Sequence, residues 1–349
     1  MDRRPFASPT PHKIQLYCKK SHRRSQATIA SGGPLQSSQI KWRGISWSTY
    51  SLRDAADVQF GERLRDVYIK KSNFLSPVFR STEVYVRSTN IVRTIESAVC
   101  LLAGLFQQQQ EGIVTVFTSE AETEVLYPNY KRCDHLKQMT RQRIVQASLL
   151  PEIAEDLKEM YKLLEIPEHE HISFIDIWDD MTSRKAHDLA RPSCVHYLMK
   201  IIEKRAVETV YFAYEPSNST SLQLCVGQLL SFLISNIENK LKDQDSLENL
   251  RKFHLYSVHD TTLMPFLMAL DIFDMKWPPY GADVILELYE HRSSKEAFVK
   301  VSYLGKDQLV RGCSDIYCPL RDFKKALSSY VIDEVNYEEK CNQPVNAAN

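Results

Sequence analysis

The sequence predicts an α/β fold in which a mostly parallel sheet carries helices on both faces, beside a smaller helical cap. Residues 83–87 are β-branched and aromatic, as in a strand, and from Ile91 to Phe106 the apolar residues recur at helical spacing. A second strand-like run follows at 113–118. A strand–helix–strand unit of this kind implies parallel strands with helices packed on the sheet.

The remaining elements of the core show the same two patterns. Residues 252–258 have the pattern of an apolar strand, and an apolar helix is predicted over 263–270. The runs 282–290 and 297–303 predict a hairpin at the sheet edge, and another helix is predicted over 222–241.

A cap is predicted where the composition changes. Between 127 and 206, Lys, Glu, Gln and Leu dominate and the periodicity is mostly helical, as over 149–164 and 195–206. We therefore predict a core built from 59–126 and 207–349, with 127–206 inserted as a mostly helical cap.

Charge is distributed unevenly in this formally neutral chain of 349 residues. Residues 1–50 contain nine Lys or Arg and one acidic residue, so this segment has a net charge of +8 and the rest of the chain −8. A basic, Ser-rich and acid-poor N-terminus without an apolar core is typical of an organellar transit peptide. A disordered basic tail and an aberrant N-terminus are the alternatives, and we predict that residues 1–58 are poorly ordered.

Several classes of function have no support in the sequence. Neither of the glycine-rich phosphate loops of nucleotide-binding proteins is present, and neither is a G-x-S-x-G nucleophile elbow. The longest apolar runs, such as 99–106, are eight residues, whereas a membrane-spanning helix needs about 20. Aromatic residues are not interleaved with the N-terminal charges, and no His or Cys pairs have zinc spacing. We predict no cofactor, no metal, no nucleic-acid partner and no transmembrane segment.

The eight cysteines do not resemble a disulfide scaffold in a chain of this length. Cys100 and Cys225 lie on apolar segments and are predicted to be small buried hydrophobic residues. Cys313 and Cys318 are close enough in sequence to form a local disulfide, and two free thiols are the equal alternative.

Two predicted strand–helix junctions carry the side chains best suited to chemistry. Arg87 ends one strand, where a guanidinium beside a helix N-terminus would bind an anion, and His259 and Asp260 occupy the second junction. Ligands of open α/β sheets bind at the carboxyl ends of strands, so these side chains are expected to converge if the strands are adjacent. The alternatives are a surface arginine, a core histidine and a helix-capping aspartate.

Segments around both junctions resemble those of the histidine acid phosphatases. The residues are Arg-Ser-Thr-Asn-Ile-Val-Arg at 87–93 and Val-His-Asp-Thr-Thr at 258–262. The likeness covers about residues 60–340 and includes the segments at 61–65, 74–77, 100–106, 126–130, 276–279 and 311–313. The resemblance implies a metal-free acid phosphomonoesterase with the histidine phosphatase fold.

The resemblance also implies roles for individual residues. Arg87 is similar to a phosphate-clamping arginine, His259 to the phosphate-binding histidine, and Asp260 to the proton donor to the leaving group. Family members with these further segments hydrolyse lysophosphatidic acid to monoacylglycerol and phosphate and are placed in mitochondria. We therefore expect a lysophospholipid or another phosphomonoester as substrate and a mitochondrial location, with the cytoplasm as the alternative. Oligomeric state is not predicted.

The nucleophile motif of the family, R-H-G-x-R-x-P, does not occur in this sequence, and the nucleophile is unassigned. Its best remnant is a strand-like run at 13–18 followed by Ser21-His22-Arg23-Arg24, in which His22 is a weak candidate. A non-catalytic phospholipid- or phosphate-binding protein is therefore the alternative function, and a sheet without its central strand is a third possibility. The enzyme hypothesis gains support if residues 13–18 supply that strand and His22 faces Arg87.

Overall fold

The computed structural model describes residues 12–18, 38–42, 52–107, 114–167, 170–186, 188–215, 219–242 and 251–343, and for the first two stretches it describes the backbone path. Its centre is a single mixed sheet with the strand order β2-β4-β3-β5-β1-β6-β7-β8, to which β9 is added beside β7. The strands are β1 His12–Cys18, β2 Ser38–Trp42, β3 Val84–Ser88, β4 Val114–Thr118, β5 Phe253–Val258, β6 Asp283–Glu290, β7 Ala297–Tyr303, β8 Lys306–Gln308 and β9 Tyr317–Pro319.

The four central strands, β4, β3, β5 and β1, are parallel, whereas β2 at one side and β6 onwards at the other are antiparallel. The helices are α1 Leu52–Arg65, α2 Val92–Phe106, α3 Asp134–Ser148, α4 Pro151–Leu163, α5 Phe174–Ala186, α6 Met199–Tyr214, α7 Ser219–Leu222, α8 Gln228–Lys242, α9 Asp260–Ala269, α10 Leu320–Leu327 and α11 Glu334–Cys341. Two π-helical turns, Asp66–Lys71 and Gln223–Gly227, follow α1 and α7, and a 3₁₀ helix, Ser193–Leu198, precedes α6. The predicted α/β class is confirmed.

Each face of the sheet is covered by its own apolar core. Helices α1 and α2 cover one face, where Leu101 and Leu105 pack with strand residues such as Val86 and Leu255. The other face is covered by α8, α9 and the cap in a larger cluster that includes Tyr256. Burial of both faces agrees with the largely buried residues of β3 and β5.

Strand β1 occupies the centre of the sheet, between β5 and β6. It runs parallel to β5, with Leu16 opposite Tyr256, and antiparallel to β6, with Leu16 also opposite Val284. Strands β1 and β2 and the start of α1 lie within residues 1–58, the segment predicted to be poorly ordered. The strand-like run at 13–18 noted in the sequence, with Ile14, Leu16 and Cys18 at period two, is strand β1. The first of the two conditions that support the enzyme hypothesis, a central strand from residues 13–18, is met, whereas His22 lies outside the described residues.

The cap consists of α3 to α6, and one predicted boundary falls within a helix. Helix α6 continues past residue 206 to Tyr214, because Val207 and Val210 extend its buried stripe. The helix predicted at 149–164 is present as α4, which begins at Pro151 and ends at Leu163.

Two disulfides are present in the described part of the chain. Cys313 is bonded to Cys318, which settles the alternative left open by the sequence. Cys133 is bonded to Cys341, 208 positions away, and this pair was not predicted. It ties α11 to the start of α3. Cys100 and Cys225 are both buried, as predicted.

One described helical stretch, Ser219–Lys242, is long and apolar enough by length and composition to cross a membrane. Most of it is buried within this fold, so it is weak evidence of a membrane span, and the prediction of no transmembrane segment stays a prediction.

Candidate active site

The two strand–helix junctions lie side by side. Strands β3 and β5 are adjacent and parallel, with Ser88 opposite Ser257, and they lead into α2 and α9 respectively. The carboxyl ends of the two strands therefore meet at the same edge of the sheet. This is where an open α/β sheet binds its ligands.

A chain of hydrogen bonds connects the junctions. His259 Nε2 lies 3.0 Å from Thr89 Oγ1, and Thr89 Oγ1 lies 2.6 Å from Thr94 Oγ1. Thr94 Oγ1 in turn donates to the Ile91 carbonyl at 2.7 Å. Because Thr94 uses its proton on that carbonyl, it accepts from Thr89, and Thr89 accepts from His259. This direction places the imidazole proton on Nε2 and leaves the Nδ1 lone pair available.

Arg93, in the first turn of α2, is the cation beside this imidazole. Its Nη2 lies 3.3 Å from His259 Nδ1, which fits a donor facing the free lone pair. Burial, together with the charge of Arg93, lowers the pKa of His259 to about 3. The imidazole is therefore neutral near neutral pH, and Arg93 and the N-terminus of α2 supply positive charge beside it.

Asp260 begins α9 with both carboxylate oxygens hydrogen-bonded. Oδ1 accepts from the Thr261 backbone N–H at 2.8 Å, and Oδ2 accepts from the indole Nε1–H of Trp277 at 2.9 Å. Trp277 belongs to the loop between α9 and β6. The position of Asp260 in the first helical turn also favours a negative charge.

The role expected for Arg87 is not supported by the contacts of its side chain. Its Nη2 donates to Glu124 Oε1 and to Ser119 Oγ, both at 2.9 Å, and its guanidinium lies over the Phe232 ring. Burial raises the pKa of Glu124, and the charge of Arg87 opposes that rise. Arg87 is thus a buried member of an ion pair, which also excludes the surface-arginine alternative.

The start of α2 has no side-chain cap. Ser88 belongs to β3, Thr89 bonds to His259, and the N-cap of α2 is Ile91, whose side chain makes no capping hydrogen bond. The first turn of α2 is therefore left for an anion, as the junction argument requires, but its cation is Arg93.

A cavity of about 330 Å³ opens at these junctions. Arg93, His259, Asp260 and Thr261 line it, and Arg87 is not among its described lining residues. The other lining residues come from the cap, from its neighbouring loops and from α9, and they are Tyr130, Ile144, Ile175, Asp176, Asp179, Val210, Ala213, Tyr214, Met264 and Trp277. The cavity has a polar end at the sheet and a largely apolar wall beyond it.

Of the residues predicted from the sequence, His259 and Asp260 line this cavity, and their roles stay predictions. The sequence argument missed Arg93, although the quoted segment 87–93 contains both arginines. The available signal was the position of Arg93 within the first turn of the helix, where the free N–H groups lie. The cap residues and Trp277 were not accessible in this way, because no local pattern relates them to the junctions.

The nucleophile remains unassigned. His22 and its neighbours lie outside the described residues. Within the described ranges, His259 is the histidine that lines the cavity, and no cluster of three or more His, Cys, Asp or Glu side chains is arranged to hold a metal ion.

Comparisons with known proteins agree with this geometry. A profile described as the histidine phosphatase superfamily (branch 2) matches residues 39–304. The chain belongs to this superfamily. The histidine phosphatases most informative for this chain include human lysophosphatidic acid phosphatase type 6, 45% identical over 285 residues, which cover 81% of this chain and 66% of that protein. The bovine prostatic acid phosphatase is 25% identical over 309 residues, covering 81% of this chain and 76% of the relative.

Solved histidine phosphatase-like structures confirm the fold. The Hafnia alvei phytase in its apo form aligns with a TM-score of 0.62 and 13% identity, over 95% of this chain and 98% of that chain. The Citrobacter braakii phytase gives 0.60 and 14% over the same shares. At such low identity the likeness concerns the fold alone. The chain spans 66% of the length of human and orangutan lysophosphatidic acid phosphatase type 6, just under two thirds.

Proposed function

We propose that this histidine phosphatase is an acid phosphomonoesterase that hydrolyses lysophosphatidic acid to monoacylglycerol and phosphate. The observation that carries the proposal is the cavity, where Arg93, His259 and Asp260 lie at the sheet end. The lining from the cap and α9 is mostly apolar, with Asp176 and Asp179 as its acidic members. An amphiphile with a terminal phosphate has the matching polarity. Four relatives named lysophosphatidic acid phosphatase type 6, at 40–46% identity, support the same substrate.

The polar end of the cavity is suited to a phosphate group. The guanidinium of Arg93 offers a donor fork that matches phosphate oxygens, and the free N–H groups of the first turn of α2 add to it. A bound phosphate dianion next to His259 would raise the pKa of the imidazole, so that it binds as a charged donor. Phosphoryl transfer depends mainly on such positioning and charge stabilisation.

Asp260 is placed to act on the leaving group. The phosphoryl group passes to an attacking nucleophile, which is unassigned, and finally to water as inorganic phosphate. As this bond to phosphorus forms and the P–O bond to the glycerol oxygen breaks, the departing alkoxide takes a proton from the Asp260 carboxyl, which becomes a carboxylate. That carboxylate is then stabilised by the Thr261 and Trp277 donors. Because the acid has to be protonated, we expect activity at mildly acid pH.

The apolar wall suits the acyl chain. Ile144 of α3, Ile175 of α5 and Val210 of α6 line the cavity from the cap, and Met264 lines it from α9. Burial of a methylene group contributes about 0.8 kcal/mol, so even a partly enclosed chain would add substantially to binding.

The test is release of phosphate and monoacylglycerol from lysophosphatidate by the purified full chain at mildly acid pH. Asp260→Asn should reduce turnover by at least 100-fold, since general acid catalysis contributes about 10²–10⁴. Asp322→Asn is the matched control, because Asp322 lies in α10 and pairs with Arg321 outside the cavity. Absence of turnover with lysophosphatidate and with an aryl phosphate would refute the enzymatic proposal.

A second candidate is a non-catalytic phosphate- or phospholipid-binding protein, which the missing R-H-G-x-R-x-P motif favours. It predicts that lysophosphatidate binds without turnover and that Arg93→Ala weakens the binding. A phosphohistidine trapped during turnover of a labelled phosphomonoester would exclude this alternative.

We also propose a mitochondrial location, supported by the basic, acid-poor N-terminal segment. Because β1 belongs to the centre of the sheet, a targeting sequence that overlaps it has to stay attached. The full chain with a C-terminal tag should therefore enter mitochondria without losing residues 12–18, and a cytoplasmic distribution would refute the proposal.

A further inference from the structure

We propose that Trp277 is a positioning residue that holds the Asp260 carboxyl through its indole N–H and thereby sets the pH range over which Asp260 donates a proton. The inference rests on the proposed function, because it concerns Asp260 as the acid of that reaction. Trp277 lies in the loop between α9 and β6, outside both strand–helix junctions.

The geometry of the pair is specific. The indole Nε1–H donates to Asp260 Oδ2 at 2.9 Å, and the bond is buried. Trp277 is only 6% exposed and Asp260 7% exposed, yet both line the cavity. An N–H donor aimed at a carboxylate in a water-poor site both fixes its orientation and favours its ionised form.

The cap holds Trp277 in this position. The Trp277 backbone N–H donates to Glu203 of α6 at 3.3 Å, and its ring packs against Trp178 of α5 with 6.4 Å between centroids. Phe273, in the same loop, stacks on Tyr211 of α6 at 6.4 Å. The loop is thus anchored on two cap helices, so the cap that forms the apolar wall also places a donor on the acid.

The charged and titratable groups around the pair come from several elements. Arg93 of α2 and His259 line the same cavity at its sheet end, and Asp176 and Asp179 of α5 line it from the cap. Glu203 of α6 faces the Trp277 backbone. These groups are unchanged when the indole alone is altered, so a substitution at Trp277 isolates the effect of its N–H and ring.

Trp277→Phe removes the donor and keeps an aromatic ring. Without the donor the carboxylate is less favoured, so Asp260 stays protonated to a higher pH. We expect the alkaline limb of the pH–rate profile to move upward by about one pH unit, the size expected for loss of one hydrogen bond to a charged group. We also expect kcat for an alkyl phosphate to fall more than kcat for an aryl phosphate, whose leaving group needs less help from an acid.

Trp178→Phe is the matched control. Its ring contacts Trp277, but its own buried Nε1 has no hydrogen-bond partner among the described residues, so this change removes an indole without removing a bond to Asp260. The alkaline limb of the pH–rate profile of Trp178→Phe should stay at the pH of the unaltered protein. An unchanged limb in Trp277→Phe, or an equal shift in Trp178→Phe, would overturn the proposal.

A measurement independent of turnover separates this inference from the proposed function. The decrease in Tm caused by Trp277→Phe should grow from acid to neutral pH, because the indole bond strengthens as Asp260 ionises, whereas the decrease for Trp178→Phe should not depend on pH. If the chain turns over no phosphomonoester but this pH dependence is found, the proposed phosphatase activity is refuted and the hydrogen bond between Trp277 and Asp260 is supported. A decrease that is the same at every pH refutes the pairing.

Discussion

His259 Nε2 and Thr89 Oγ1 are hydrogen-bonded at 3.0 Å across 170 positions of sequence. The bond joins the segment after β3 to the segment after β5, and it continues through Thr94 to the first turn of α2. It therefore orients the imidazole so that Nδ1 faces Arg93. One threonine hydroxyl decides which nitrogen of His259 faces the cation of the site.

Thr89→Val removes this acceptor while keeping the shape of the side chain. The buried His259 N–H loses its partner, so we expect the free energy of unfolding to fall by about 1–3 kcal/mol. Phosphate binding should weaken as well, because the ring is no longer held in one tautomer. Urea unfolding and phosphate titration measure both effects. Thr123→Val, at an exposed hydroxyl, is the control and should change stability by less than about 0.5 kcal/mol.

Truncation of Arg87 should mainly lower stability, whereas truncation of Arg93 should mainly weaken phosphate binding. Arg87→Ala leaves Glu124 buried without its partner and should cost about 3–5 kcal/mol of unfolding free energy, part of which Glu124→Gln restores in the double variant. Arg93→Ala should cost much less stability but weaken phosphate binding at least tenfold. Denaturant unfolding and calorimetric titration distinguish the two. If Arg87→Ala is stable but no longer binds phosphate, Arg87 rather than Arg93 is the arginine that binds the phosphate group.

His259 makes the stability of the protein depend on pH. Because its pKa is lowered to about 3 in the folded state from 6.5, the unfolded state binds the extra proton between these values. The free energy of unfolding should therefore decrease as pH falls from about 6.5 towards 3. In His259→Gln this slope should be smaller. An identical slope in both proteins, measured by urea unfolding at several pH values, would contradict the buried neutral imidazole.

Asp283 has the opposite dependence. It is 4% exposed, and burial raises its pKa to about 6 against the opposing charge of Arg63, compared with 3.8 for an ordinary aspartate. Stability from the protonated carboxyl is present at acid pH and is lost as pH rises from about 4 through 6. Asp283→Asn should thus raise Tm at pH 8 and change it little at pH 4. Asp274→Asn, at an exposed position of the loop before β6, should leave the pH dependence of Tm unchanged.

The two disulfides should contribute unequally to stability. The Cys133–Cys341 bond joins positions 208 apart, whereas Cys313–Cys318 joins positions 5 apart. Because a cross-link restricts the unfolded chain more when its loop is longer, replacing Cys133 and Cys341 with serine should lower Tm more than replacing Cys313 and Cys318. Calorimetry on the two double variants measures the difference. An equal loss would mean that folded-state contacts, such as those of Arg132 with Glu334 and Glu338, dominate at α11.

Local patterns in the sequence were sufficient for the elements that bury apolar stripes. The helix from Val92 and the strands at β3, β5, β6 and β7 were predicted within one or two residues, because their periodicity follows directly from which face is buried. The run at 13–18 was recognised as strand-like but was placed in a segment predicted to be poorly ordered, because net charge was counted over residues 1–50 rather than over the strand. The Cys133–Cys341 pair left no sequence signal, because no local rule relates residues so far apart.

The sequence by itself determined the α/β class, the two junctions, and the histidine and aspartate that occupy the second of them. Only the tertiary structure decided that Arg93 rather than Arg87 stands in the cavity, that Thr89 sets the tautomer of His259, and that Trp277 holds Asp260. The physical reason is that composition and periodicity report which side of an element is buried. Which polar atoms then meet depends on strand order, register and the path of the cap, and these bring together residues that are distant in the chain.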